Sequence, residues 1–259
     1  MTTSRTVPAS GNLLIDHQHG QLTELIRKAA QCARGDVEHF GLAVLAFRTA
    51  LAGHFAVEGI IFRGAGFARA EEHDAAHAVI LARVDQVVQT LSDLASSPER
   101  HAIIEEMERI LFDHELLEDS GYWEAIRHHP TQPVVAWDAS LETGLSWVDD
   151  QHRHLVAIIN QLSVVATVPR QETIIAELME RFLRHARQHF AAEERQLDAW
   201  GRTVSAHRAE HVQLLEEVES LALAVGSDPG MLVDHYLRFW MIDHIRTADM
   251  QDFANSPLP

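Results

Sequence analysis

Apolar residues recur along this chain at three- and four-residue spacings with polar residues between them, which is the period of helices that bury one face. The first such run extends from about Leu13 to about Cys32 and stops at Arg34-Gly35. Asp36 is a candidate N-cap for a second helix, from about Val37 to Phe62, which Gly64 and Gly66 end. A third helix is predicted from about Ala68 to Leu94. Ser97-Pro98 reads as an N-cap followed by proline at the first helical position, opening a fourth helix to about Asp119. A short helical piece over residues 122–127 follows. Four helices joined by short turns imply antiparallel neighbours, an up-down-up-down bundle.

The periodicity then breaks at His128-His129-Pro130-Thr131-Gln132-Pro133, where two prolines mark a linker. Beyond it the pattern starts again. Helices are predicted from about Val148 to Val165, from Pro169 to Trp200-Gly201, from about Val204 to Ala224, and after Ser227-Asp228-Pro229. The organisation expected is therefore a flexible tail over residues 1–10, a first domain over 11–129, a linker over 130–140 and a second domain over 141–259. Gly11/Gly144, Leu22/Leu155, Phe55/Phe190 and Asp113/Asp243 match across the two halves at offsets of 130 to 135 residues, as expected of an internal duplication with small loop indels. The fold class expected is all-α, with two tandem antiparallel four-helix bundles.

Composition narrows the function. The chain is 46% apolar over 259 residues, enough for real cores. A formal charge of -17 with 21 basic residues argues against nucleic acid and anionic membranes, whose affinity comes from neutralising phosphates with Lys and Arg. No uninterrupted apolar run reaches the length of a membrane span. The single cysteine, Cys32, excludes an intramolecular disulfide and, with no signal peptide evident, points to a reducing cytoplasm. Eighteen histidines are the compositional oddity.

Those histidines follow an order. The stretch His54-Phe55-Ala56-Val57-Glu58 recurs as His189-Phe190-Ala191-Ala192-Glu193. A histidine and a glutamate four apart lie within about 40° of one helix face, so both can reach one ion. Each copy is preceded by a histidine in an aspartate-containing tetrapeptide, ending at His19 or His152, and followed by H-x-x-x-H, His73/His77 or His207/His211. Each closes with H-x4-D, His114/Asp119 or His244/Asp249. Five histidines and two carboxylates per half, directed into a bundle core, would be costly to bury without a metal to compensate them. Without cysteine in the set, zinc-thiolate and iron-sulfur sites are excluded, while ligand type alone leaves iron, zinc, copper and nickel open. If both carboxylates and one oxo or hydroxo group bridge two six-coordinate metals, six positions remain for five histidines. The vacant position suits one small exogenous ligand. On a regular helix the two residues of H-x4-D stand about 140° apart. Local irregularity, such as a π-bulge, is therefore expected at both copies. His17, His39, His101, His128, His129, His154, His185 and His235 lack partners in the repeat and are expected mostly at the surface, with His185, one turn from His189, the foremost false ligand.

The ordered set D-x-Q-H-x-x-L, H-F-x-x-E, H-x-x-x-H and H-x4-D, complete in both halves, resembles two tandem hemerythrin domains of the bacterial type. The resemblance implies a buried non-haem di-iron centre in each half, four irons per chain, oxo- or hydroxo-bridged, binding dioxygen at the iron with two histidine ligands. It implies that His73, His77 and His114 hold one iron, His19 and His54 the other, and that Glu58 and Asp119 bridge. In the second half His207, His211 and His244 match the first group, His152 and His189 the second, and Glu193 and Asp249 the bridges. The family's apolar oxygen pocket maps onto Leu155, Phe190, Trp240, Met241 and Ile245. In the first half the corresponding residues are Leu22, Phe55, Ile110 and Leu111, with Glu115 in place of Ile245. A carboxylate beside the vacancy admits water or protons, so the first site is expected to oxidise faster.

Three functions follow from these readings. The foremost is a cytoplasmic O2-binding protein for storage, delivery or scavenging, with no catalytic residue. The second is an oxygen or redox sensor acting through an unidentified protein partner, since no output domain fits in this length. The third is a di-iron enzyme reducing peroxide or nitric oxide, with peroxidase-like turnover at the first site.

Overall fold

The computed structural model describes residues 9–35, 37–91, 97–127, 134–225 and 228–253, without the side chains of residues 97, 115–117 and 225. Among the described residues every regular element is helical. The N-cap expected at Asp36, the end of the third helix near Leu94, most of the tail and the proline-rich linker lie outside them, as does the side chain of Glu115. The chain divides into two compact units, residues 1–127 and 128–259.

In the first unit α1 spans Leu13–Cys32, α2 Val37–Gly64, α3 Ala70–Thr90 and α4 Ser97–Leu117. Asn12 caps α1, its side chain accepting from the Leu14 and Ile15 amides. After α2 the chain turns at Gly66, whose φ of 77° suits a residue without Cβ. α1 packs on α2 and α4, and α2 on α3. The apolar stripes meet in a core built around Leu22, Phe40, Phe47, Leu51, Val84 and Met107. At the far end of α1 the buried Arg100 of α4 donates to the Ala33 carbonyl at 2.7 Å, satisfying a terminal acceptor. By length and composition alone α2 could cross a membrane. Its Phe40, Val44, Phe47 and Leu51 instead belong to the core of this unit.

α4 stops before Asp119. A 3₁₀ turn over Asp119–Gly121 and the short α5, Trp123–Ile126, complete the unit. The irregularity expected at His114–Asp119 is thus a helix break, not a π-bulge.

In the second unit α6 spans Ser146–Ala166, α7 Glu172–Ala199 and α8 Ser205–Val225. Pro169 does not open α7 as expected. Arg170 adopts φ 64°, which interrupts helical geometry, and α7 starts two residues later. The last segment alternates between windings: α9 Pro229–Leu232, a π-turn Val233–Leu237, α10 Arg238–His244, a second π-turn Ile245–Asp249 and α11 Met250–Phe253. The first π-turn carries His235, Tyr236 and Leu237 inward together, so His235 is buried where a surface position was expected. The second is the bulge expected at His244–Asp249.

Candidate metal centres

The repeated D-x-Q-H motif works through its aspartate and glutamine as well as its histidine. Asp16 Oδ1 accepts from the amide and hydroxyl of Ser10, at 2.7 and 2.8 Å, and Asp149 Oδ1 accepts from the amide and hydroxyl of Thr143, both at 2.8 Å. Each aspartate fastens the incoming strand of chain across a glycine in the left-handed region, Gly11 at φ 86° and Gly144 at φ 87°. Gln18 Oε1 lies 3.2 Å from His54 Nδ1, and Gln151 Oε1 2.9 Å from His189 Nδ1. An amide oxygen only accepts, so each Nδ1 carries the proton and each Nε2 keeps its lone pair for the interior. The sequence reading carries both glutamines within the D-x-Q-H motif but gives neither a role.

All seven candidate ligands of the second unit are buried: His152, His189, Glu193, His207, His211, His244 and Asp249. Six of them form two overlapping groups. Donor atoms of His152, His189, Glu193 and Asp249 lie within 4.8 Å of one another, and so do those of Glu193, His207, His211 and Asp249. Glu193 turns Oε1 to His189 at 3.3 Å and Oε2 to His211 and His207 at 3.6 and 3.7 Å. Asp249 turns Oδ2 to His152 at 3.0 Å and Oδ1 to His244 at 3.3 Å. Glu193 therefore faces both groups with different oxygens, and Asp249 turns one oxygen to His152 of the first group and the other to His244, which stands outside both. The π-turn allows this, because it brings Asp249 back beneath His244 across a five-residue step.

The first unit also buries all seven, His19, His54, Glu58, His73, His77, His114 and Asp119, but gathers them differently. Donor atoms of Glu58, His73, His77, His114 and Asp119 form one group within 4.8 Å. His19 and His54 adjoin it, their rings 4.8 Å apart, with His54 Nε2 3.5 Å from Glu58 Oε2. The same Oε2 is 3.3 Å from His77. Asp119 Oδ1 is 2.9 Å from His73 and 3.1 Å from His114. The other oxygen of Glu58 accepts the hydroxyl of the buried Tyr122, a residue the sequence reading passed over because its match in the repeat, Asp252, is not aromatic.

Do these residues fit a metal? The Nε2 atoms of His54, His73, His207, His211 and His244 and both oxygens of Glu193 are buried without a hydrogen-bond partner. Orphaned acceptors at this density are costly, and a shared cation satisfies them together. The Nε2 atoms of His77 and His114 are 2.9 Å apart, as are those of His152 and His189. Two imidazole nitrogens about 2.1 Å from one ion and at right angles to each other would be about 3.0 Å apart. Burial holds the rings of His77, His211 and His244 neutral, as ligands must be. His77 and His211 are lowered to about 2 and His244 to about 4, burial being the largest cause in each. Burial also raises Glu193, with Asp249 adding to the rise. In Asp249 burial is outweighed by His244, His152 and His189, which hold its carboxyl low. The donor sets fit bound metal.

The apolar residues expected around the vacancy are buried in both units: Leu22, Phe55, Ile110 and Leu111 in the first, Leu155, Phe190, Trp240, Met241 and Ile245 in the second. Phe55 stacks on His77 and Phe190 on His211, each with ring centroids 3.8 Å apart. Trp240 lies 6.1 Å from His244 and from Phe190.

Buried, cysteine-free sets of imidazoles and carboxylates carried on helices define a non-haem metal-binding protein. Residues 143–254 match the hemerythrin HHE cation binding domain family. A bacteriohemerythrin of Pseudomonas aeruginosa is 30% identical over 118 residues, 44% of this chain and 76% of that protein. Those of Stenotrophomonas maltophilia and Methylococcus capsulatus are 27% and 25% identical over 125 and 122 residues, covering 47% and 45% of this chain and 80% and 92% of theirs. No solved structure matches significantly. The chain belongs to the hemerythrin family, which places it among non-haem iron proteins that bind dioxygen.

Proposed function

We propose that each unit is a hemerythrin-like four-helix bundle with one di-iron centre, and that the chain is a cytoplasmic, double-headed O2-binding protein for storage, delivery or scavenging. The observation that carries the reading is the sharing of Glu193 and Asp249 between two groups of histidines, the disposition expected of carboxylates that bridge two ions. His207, His211 and His244 would hold one iron and His152 and His189 the other. In the first unit His73, His77 and His114 would hold one iron, His19 and His54 the other, and Glu58 and Asp119 would bridge. When bound, an iron pair supplies the electrons for reversible O2 binding.

The residues of the chain do the rest. Gln18 and Gln151 keep one histidine of each two-histidine group in the tautomer that presents Nε2. Glu194 Oε1, 3.2 Å from His211 Nδ1, and Asp252 Oδ2, 2.8 Å from His207 Nδ1, place negative charge behind the three-histidine group of the second unit. That raises the basicity of both ligands. The buried aromatic and aliphatic side chains around the histidines exclude water. A histidine-rich set favours carriage over oxygen activation, because neutral imidazoles stabilise high-valent iron less than carboxylates do.

A second reading, reductive turnover of a small oxidant such as peroxide or nitric oxide, is favoured at the first unit alone. There a cavity of about 300 Å³ lined by Phe67, Arg69, Glu72, His73 and Glu118 reaches one of the candidate ligands.

Iron counting after anaerobic reconstitution and desalting tests the main reading. Four irons per chain are expected, falling to two in Glu193→Ala and to two in Glu58→Ala. A wild-type count of two or fewer, or a count that neither substitution changes, would contradict it.

A further inference from the structure

Outside the two ligand sets, the second unit brings one more pair of imidazoles together from different helices. His154 of α6 and His185 of α7 have ring centroids 4.3 Å apart, with their planes tilted by 39°. Pairs assigned above to a single iron are spaced from 4.1 Å, for His207/His211, to 6.3 Å, for His207/His244, and this pair falls within that range. The separation is that of two rings directed at one ion.

The Nε2 of His185 is buried without a hydrogen-bond partner, as are those of the candidate ligands His207, His211 and His244. A buried ring nitrogen left without a partner is costly, and an ion shared with the neighbouring ring would satisfy it. Burial and the neighbouring His154 both keep the His185 ring from taking a proton, so the lone pair is available at neutral pH. His154 is exposed, which gives an ion a way in and leaves its remaining positions to water.

The pair is not a by-product of the repeat. Matching the α6 and α7 histidines to those of the first unit puts Gln21 and Ala50 at these two positions, so neither the helical fold nor the iron ligands call for imidazole there.

The geometry points to a further metal site in the second unit, at which His154 and His185 together bind one borderline divalent cation of the copper, nickel or zinc class. Two imidazoles select such ions over calcium or magnesium, and Cu(II) is expected to bind tightest. The site is separate from the iron sets and does not depend on the O2-binding reading.

The test uses the full chain, iron-loaded and air-oxidised, titrated with Cu(II) and followed by low-temperature electron paramagnetic resonance. One Cu(II) per chain is expected to add without loss of iron, with hyperfine splitting from two nitrogen ligands. His154→Ala and His185→Ala should each weaken binding at least tenfold and remove the two-nitrogen pattern, while the iron content stays at the wild-type value. His154 is exposed, so His154→Ala carries the test if α7 does not tolerate the other change. Copper that displaces iron, or that binds both variants with unchanged affinity and splitting, would overturn the proposal.

Discussion

The two units bury the same seven candidate ligands in the same order, yet they hold the glutamate proposed to bridge differently. In the second unit both oxygens of Glu193 face histidines. In the first, one oxygen of Glu58 is taken by the Tyr122 hydroxyl and the other faces His54 and His77 together. Asp252 stands at the position that matches Tyr122 and turns instead to His207 Nδ1, while Glu194, on His211 Nδ1, is matched in the first unit by Gly59. Neutral donation to a carboxylate withdraws charge from the centre, whereas carboxylates behind histidines supply it. The lesson is that identical ligands do not make identical sites. The second centre is expected at the lower reduction potential, giving electrons to O2 more readily, and the first, beside a polar cavity that reaches His73, is expected to be the leakier.

The largest effect that sharpens this comparison comes from acid on the metal-free protein. His54, His77 and His114 in the first unit and His189, His211 and His244 in the second are all pushed down, burial being the first cause in each. Unfolded histidines take protons near pH 6.5 while these folded ones do not, so the stability they contribute is whole above that pH and is lost as pH falls below it. Each contributes about 1.4 kcal/mol per pH unit, so about 4 kcal/mol per unit for three. Glu193, pushed up, works the other way in the second unit, because acid relieves the cost of its buried charge. Urea unfolding followed by amide exchange should show each unit losing stability as pH falls from 6.5 to 5, with Glu193 offsetting part of the loss in the second. Stability that holds level in both units over this range would contradict neutral, buried histidines.

A smaller effect separates the outer partners. Tyr122→Phe is expected to lower iron affinity in the first unit by about 10- to 100-fold and leave the second untouched. Competition against a chelator, with the count resolved at two irons each, checks it; equal loss from both units would mean the tyrosine acts through global stability. Smaller again, Asp252→Asn should raise the reduction potential of the second centre alone, read by spectroelectrochemistry. No shift there would leave Asp252 without influence on the metal.

Most of the helices were legible because burying one stripe leaves a 3.6-residue period, and the candidate ligands because each histidine recurs with its partners in order. Three features were not. The break before Asp119 and the π-turn at Asp249 both answer the angular mismatch of H-x4-D, but residue type does not reveal which answer a helix takes. Arg170 was hidden behind Pro169, since the proline suggested a helix start and the left-handed residue after it delayed one. Tyr122 and Asp252 escaped notice because they differ where the ligands agree, and a search for matched residues passes over positions that set the halves apart.

The most direct test of the whole account is an anaerobic O2 titration of the iron-loaded protein, with iron counted per chain and the visible absorption of the oxygenated form followed over time. Four irons should take up two O2 reversibly, and the oxygenated absorption should then decay in two equal phases. The faster phase is assigned to the first unit by its survival in Glu193→Ala. Uptake of no O2, or a single phase shared by both units, would contradict two oxygen-binding centres made unequal by what surrounds them.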